Sequence, residues 1–225
     1  MKRSQVNDAI KWAEALLAKQ KITLPPFGYW TEDDWTRMKD YSDQLEETML
    51  GWDVSDFGSD DFEHVGAVLF TVRNGNVYDS SVGTPYAEKY ILLKDGCEQE
   101  IPLHYHIAKT EDIINRGGGI LCVQLYGKAE DGGLDTVSDV SVRTDSILRT
   151  VTAGETVELL AGESITLTPY MYHRFYAKTG AGDLVVGEVS KINDDHKDNV
   201  FAVTRERFCE MQEDEKPYRR LVADY

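Results

Sequence analysis

No stretch of the 225-residue sequence approaches the roughly 18 consecutive apolar residues of a membrane-spanning helix. The opening Met1-Lys2-Arg3-Ser4-Gln5-Val6-Asn7-Asp8 turns polar where a secretory leader needs its apolar run. Cysteine is scarce. Cys97, Cys122 and Cys209 are an odd number at unrelated spacings, which reads as reduced thiols and a cytoplasmic location rather than a disulfide framework. Basic residues are also in deficit: 24 Lys+Arg face 40 Asp+Glu, a formal net charge of −16. Such a surface repels phosphate backbones and anionic lipid headgroups, so neither nucleic acid nor a membrane is expected as partner. A local basic pocket for a small ligand is compatible with it. No internal repeat or low-complexity segment is evident. What is present is enough for a packed core: 41% hydrophobic residues exclude a disordered chain.

The first fifty residues have helical patterning. Val6, Ile10, Ala13 and Leu17 recur at helical spacing after Ser4, a candidate N-cap, and the run ends before Pro25-Pro26. Thr31-Glu32-Asp33-Asp34 places a cap and acids on a second first turn. Trp35, Met38, Leu45 and Met49 would then form its buried stripe and Gly51 its stop. From His64 onward short β-type runs take over: Val65 to Val72, Glu88 to Leu93, Ile120 to Tyr126, Thr150 to Leu160, Ser164 to Thr168 and Gly182 to Val189. Asn74-Gly75, Asp95-Gly96, Gly117-Gly118-Gly119, Asp131-Gly132-Gly133, Ala161-Gly162 and Thr179-Gly180 punctuate them as turns. Many short strands at near-regular spacing predict an antiparallel sandwich or barrel. The expected organisation is a single domain over 1–225, with a helical N-terminal extension (1–55) packed outside, a β-barrel (60–203) and a C-terminal helical segment and tail (204–225).

The chemistry concentrates around Leu103-His104-Tyr105-His106. Residues two apart on a strand share a face, so His104 and His106 point the same way, as two ligands of one metal ion would. Glu111 lies five residues beyond His106, and an unbroken strand would throw it to the other face. The chain must therefore bulge or turn between Ile107 and Thr110 before Glu111 can join. His173 closes a second β-like run, Thr166 to His173, and completes a shell of three imidazoles and one carboxylate. That N/O set suits Mn²⁺, Fe²⁺, Co²⁺, Ni²⁺ or Zn²⁺ and leaves two octahedral positions open. The plainer reading of His-x-His is a pair of polar or hydrogen-bonded strand residues; a third histidine and a Glu at suitable spacing favour the metal.

His104-x-His106-x4-Glu111-x6-Gly118 resembles the first motif of the cupin superfamily, with His173 in the place of the histidine of the second motif. Pro169 lies four residues before His173 with no glycine between, a departure from that second motif. The resemblance therefore points to the cupin fold and ligand set rather than to the germin or dioxygenase branches. More closely, Glu111-Asp112-Ile113-Ile114-Asn115-Arg116-Gly117-Gly118-Gly119, Gly187-Glu188-Val189-Ser190 and Asn193-Asp194-Asp195 look like the D-lyxose ketol-isomerases, over roughly residues 60 to 205. This resemblance implies a mainly β cupin barrel, a double-stranded β-helix, with helices outside. It also implies Mn²⁺-dependent interconversion of D-lyxose and D-xylulose, with D-mannose and D-fructose as further substrates. A homodimer is expected, because such barrels expose edge strands that dimers cover.

Moving a proton between C1 and C2 needs a base that reaches both carbons and an electrophile at the adjacent oxygens. Glu188 is the candidate base, or else a rim carboxylate; Lys109, between the ligands, can pair with Glu188 or supply a proton, or else is a solvated turn lysine. Lys89 lines the cavity if its strand face matches that of His104, and Asp194 and Asp195 accept sugar hydroxyls unless they belong to a merely acidic loop. Other features carry less. Gly117-Gly118-Gly119 lacks the context of a phosphate loop, and Arg116 reads as a brace for it. His64 and His196 have no partner pattern, and Cys97 and Cys122 lack the spacing of a nucleophile. Tyr105, Tyr170, Tyr172 and Tyr176 read as packing aromatics. Three other functions compete: a phosphosugar isomerase using Lys89, Lys109 and Arg116, an Fe²⁺ dioxygenase, and a non-catalytic sugar-binding cupin.

Overall fold

The first helical stripe forms helix α1, Arg3–Lys19, which buries Val6, Ile10, Ala13 and Leu17. It begins before Ser4. Lys2 is the N-cap residue, and the Gln5 side chain reaches back to its N–H (3.0 Å). Ser4 is instead bonded through its N–H and hydroxyl to Asp214. The computed structural model describes residues 1–95, 100–194, 197–203 and 211–225. Gly96, Cys97, Asp195, His196 and the segment 204–210, with Arg205, Phe208 and Cys209, lie outside the described residues.

The second helical stretch is not one helix. It divides into α2, Glu32–Met38, a 3-10 turn at Lys39–Tyr41, and α3, Asp43–Glu47. Thr31 and Asp34 form the expected capping box. The Ser42 hydroxyl donates to the Lys39 carbonyl (3.2 Å) and so competes for an acceptor that a continuous helix would use. Of the expected stripe only Trp35 is fully buried; Met38, Leu45 and Met49 are half-buried.

Fourteen strands occur among the described residues: β1 Gly51–Ser55, β2 Ala67–Gly75, β3 Gly83–Leu93, β4 Glu100–His106, β5 Glu111–Gly118, β6 Leu121–Lys128, β7 Leu134–Asp135, β8 Val140–Thr144, β9 Ile147–Val151, β10 Thr156–Leu159, β11 Ser164–Leu167, β12 Tyr172–Ala177, β13 Leu184–Lys191 and β14 Asn199–Phe201. An eight-stranded sheet runs β1-β2-β3-β13-β5-β11-β8-β9; a six-stranded one runs β10-β6-β12-β4-β14, with β7 paired to β6. All pairings within the two sheets are antiparallel, and one apolar core joins Leu69, Ile91, Ile113 and Val186 of the first sheet to Val123 and Phe175 of the second. This is the mainly β, curled two-sheet architecture of a cupin barrel. The two-residue alternation of each strand has a second consequence: Val68, Phe70, Leu92 and Val185 face away from that core and pack on Val6, Ile10 and Leu17 of α1. The helix therefore lies outside the barrel.

Several assignments shift: β1, Gly51–Ser55, falls within the segment expected to be a helical extension (1–55). Asn74-Gly75 is not a tight turn but the end of β2, with Gly75 paired to Gly83. The Thr150 to Leu160 run splits between β9 and β10, which belong to different sheets, and Gly154 (φ +81°) makes the break. Of the C-terminal segment, residues 211–225 contain one 3-10 turn, Val222–Asp224, and otherwise cross α1. There the buried Arg3 guanidinium donates to Glu213 and Asp224.

Gly118 and Gly162 both have φ of +95°. A Cβ at Gly118 would lie 2.0 Å from the Asp183 carbonyl oxygen, whereas at Gly162 it would meet nothing within 4 Å. Gly162→Ala should therefore cost only the backbone strain, about 1 kcal/mol, and Gly118→Ala at least about 3 kcal/mol. Urea denaturation of the two variants checks this; equal losses would show that the close approach does not matter.

Candidate active site

The site is built where the chain crosses from one sheet to the other. On β4, His104 pairs with His173 and Ile101 with Phe175, a spacing of three residues against two. The extra residue is a bulge at Pro102-Leu103, where the proline has no N–H for the ladder. Because of it Ile101 and His104 both reach the interior, as does His106. After His106 the chain leaves the six-stranded sheet and enters the eight-stranded sheet at Glu111. Asp198 shapes the intervening turn: its carboxylate accepts the N–H groups of Ala108 (2.7 Å) and Lys109 (3.1 Å), and its carbonyl accepts that of Ile107 (3.1 Å). The five-residue offset from His106 to Glu111 is thus a change of sheet.

Nitrogen atoms of His104, His106 and His173, all buried, lie within 4.8 Å of one another. The Nδ1–H of His104 donates to the Pro102 carbonyl (2.7 Å) and that of His173 to the Met171 carbonyl (3.0 Å), which leaves each Nε2 lone pair free to face inward. Glu111 Oε1 lies 3.1 Å from His173 Nε2 and 3.3 Å from His106 Nε2, yet neither nitrogen has a hydrogen-bond partner. Buried imidazole nitrogens without partners are costly. Donor atoms about 2.1 Å from one ion and at right angles are about 3 Å apart, so the spacing fits adjacent ligands of a divalent cation. Burial and the neighbouring imidazoles hold His104 neutral to well below the usual histidine range; burial followed by the Lys109 charge also lowers His106. Burial pushes the Glu111 carboxyl up, but Lys109 and the imidazoles outweigh it and bring the group well below the carboxylate range. These are the protonation states a metal needs.

The same cavity, about 50 Å³, is lined by Lys89, Lys109 and Glu188, with Phe57, Leu69, Ile101, Phe175 and Phe201 as its apolar part. Period two explains the arrangement. Lys89 precedes the core residue Ile91 by two, Glu188 follows Val186 by two, and the antiparallel register pairs Lys89 with Glu188. The buried Lys109 ammonium lies 2.8 Å from Glu111 Oε2 and donates to Glu188 Oε1 (3.0 Å) and Asn193 Oδ1 (3.1 Å). The Ser190 hydroxyl donates to the same Glu188 oxygen (2.9 Å).

Seven of the eight described residues singled out for the site therefore converge. Asp194 does not line this cavity: it borders a separate pocket of about 330 Å³ with Thr48, Asn74 and Lys197, and its carboxylate accepts from the Tyr78 hydroxyl (3.4 Å). Arg116 is exposed against Gly187 on the outer face, so the cations named for a phosphate do not converge. Tyr105, Tyr170 and Tyr172 pack on one another. His64 pairs with Asp61 at the surface, and Cys122 is buried. Sequence reasoning assigned no role to Asn193, Ser190 or Asp198. Ser190 was detectable, because it shares a strand face with Glu188; Asp198 acts through a turn that only the fold brings to it.

A family model described as D-lyxose isomerase matches residues 1–225. The D-lyxose/D-mannose isomerase of Serratia proteamaculans is 39% identical, over 100% of this chain and 98% of its own. That of Escherichia coli O157:H7 is 38% identical over the same shares. Among solved structures the L-ribose isomerase of Geodermatophilus obscurus superposes with a TM-score of 0.60 at 15% identity, covering 94% of this chain and 98% of that one, a likeness of fold.

Purified protein dialysed against Mn²⁺ should retain one metal per chain by elemental analysis. His173→Ala, which removes a candidate ligand presented by the second sheet, should weaken retention by at least about 100-fold. Undiminished metal in that variant would move the ion elsewhere.

Proposed function

This chain belongs to the D-lyxose isomerase family and is a sugar isomerase, and from that premise we propose that it interconverts D-lyxose and D-xylulose. D-Mannose and D-fructose form the second substrate pair. The observation that carries the reading is Lys109, whose ammonium lies against both Glu111 and Glu188 beside the three histidines.

In the aldose-to-ketose direction Glu188 takes the proton from C2 and returns it to C1 after an enediol. One carboxylate can serve both carbons because they are adjacent. Over the turnover the C2–H and O2–H bonds break and C1–H and O1–H bonds form, so no external oxidant or reductant is needed. Lys109 holds the proton exchanged between O1 and O2, and its contact with Glu188 keeps donor and acceptor in one network. Lys89, paired with Glu188 across the strands, binds a sugar hydroxyl. The apolar lining gives the C–H faces of the sugar a dry surface.

His104, His106, Glu111 and His173 would hold Mn²⁺, or Co²⁺, Fe²⁺ or Zn²⁺ in its place. When bound, such an ion supplies a Lewis acid for the two adjacent oxygens. The mixed N/O donor set and the unpartnered Nε2 atoms support this assignment. A cytoplasmic location is supported by the buried free thiol of Cys122; no helix among the described residues is long and apolar enough to cross a membrane. A homodimer is supported by the edge strand β9, where Ile147 and Leu148 are exposed.

Chelator-stripped protein should leave D-lyxose unchanged and, after Mn²⁺ is restored, produce D-xylulose by NMR. No conversion of D-lyxose or D-mannose by protein carrying one metal per chain would overturn the proposal. Glu188→Gln should lower kcat by about 10²–10⁴-fold while metal content stays constant. Near-normal turnover in that variant would exclude Glu188 as the base.

A further inference from the structure

The Asn74-Gly75 pair reads as a hairpin turn, yet Asn74 ends a strand, where asparagine is disfavoured, and it is buried. Its carboxamide is fully used. Oδ1 accepts the backbone N–H of Asn193 (2.9 Å), and Nδ2 donates to the Asn193 carbonyl (3.1 Å) and to the Thr48 carbonyl (3.3 Å). One side chain thus binds both backbone polar groups of a single residue 119 positions away. The side chain of that residue accepts from Lys109 Nζ (3.1 Å).

We propose that Asn74 is a positioning residue for the catalytic lysine and acts through Asn193; the claim rests on the isomerase reading given above. An ammonium has three N–H donors. Two of the acceptors around Lys109, Glu111 Oε2 (2.8 Å) and Glu188 Oε1 (3.0 Å), are carboxylate oxygens that pull toward the metal ligands and toward the base. Another among the described residues, Asn193 Oδ1, is a neutral amide. It draws the ammonium to a defined point without adding charge to the site. Asn193 belongs to the irregular segment after β13 and has no strand ladder of its own to hold it. The Asn74 carboxamide substitutes for that ladder, with Thr48 anchoring it from behind. Asn74 lines the neighbouring pocket and not the metal cavity, so it does not touch the reacting atoms.

The test is a double-mutant cycle on the Mn²⁺-loaded enzyme with D-lyxose. Asn74→Ala and Asn193→Ala should each lower kcat about tenfold, with KM and metal content unchanged. The double variant should also lose about tenfold, against the roughly 100-fold product expected of independent sites. An unchanged kcat in Asn74→Ala, or a double variant that loses the full product, overturns the proposal. A second readout needs no turnover. In the Zn²⁺-loaded protein the buried Lys109 ammonium should give an exchange-protected ¹⁵N signal, identified by its loss in Lys109→Arg. That signal should disappear in Asn193→Ala and in Asn74→Ala, and its persistence in both overturns the proposal. If the unmodified enzyme converts neither sugar, the isomerase reading fails, while this signal still decides whether Asn74 and Asn193 hold the lysine. Should Asn74→Ala not fold, Asn74→Asp, which keeps the Oδ1 acceptor and removes both Nδ2 donors, decides by the same signal.

Discussion

The buried ammonium of Lys109 is the interaction on which the site depends. The lysine is carried by the turn that leaves the six-stranded sheet, while Glu111 and Glu188 belong to the eight-stranded one. The contact therefore ties the two halves of the barrel together at the level of the candidate metal ligands. Buried ion pairs add little net stability, because desolvation offsets most of the attraction. Removing one partner is another matter: it strands a buried charge at a cost of about 3–5 kcal/mol. The geometry of Lys109 is thus enforced by what its loss would leave behind. Asp198 on the backbone of the turn and Asn193 on the ammonium complete that enforcement.

Along four of the strands that reach the cavity, an apolar residue gives way to a polar one two positions away. Ile91 has Lys89 beside it on the inward face, Val186 has Glu188, Ile113 has Glu111, and Phe175 has His173. A closed apolar floor and a polar layer above it result from the same alternation. Chemistry takes place on the upper layer, whose backbone is held by packing of the lower one. The opposite face of β1, β2, β3 and β13 is also apolar where α1 covers it. Residues 67–71 of β2, 91–93 of β3 and 184–188 of β13 are consequently buried on both sides. That explains why their sequences read as continuous apolar runs, such as Val65 to Val72, and give no hint of which face meets the cavity.

The outer layer has its own fastening. Arg3, buried on α1, receives Glu213 and Asp224 from the C-terminal tail; Ser4 and Asn7 bind Asp214 and Glu215. Both ends of the chain are joined there, away from the cavity, so helix and tail buttress the sheet without entering the chemistry.

Local signals made much of this legible. Helical spacing identified α1, turn residues marked most strand ends, and the two-residue period placed His104 and His106 on one face. The spacing of Glu111 required a turn, and the motif supplied the fold. What remained hidden depends on contacts between distant positions. The Asn74-Gly75 dipeptide favours a turn locally, but a partner 119 residues away claims the asparagine. The run from Thr150 to Leu160 looks like one strand, but its two halves join different sheets. Parity could not be carried from Lys89 to His104 across the intervening turn, and only the cavity that both residues line relates them. Residue order and strand period were enough to say which side chains are available to this cavity and which of them share a strand face. Tertiary structure alone decided which faces turn inward and which backbone groups hold the lysine, because strand pairing and burial are energies of the whole chain and have no local signature.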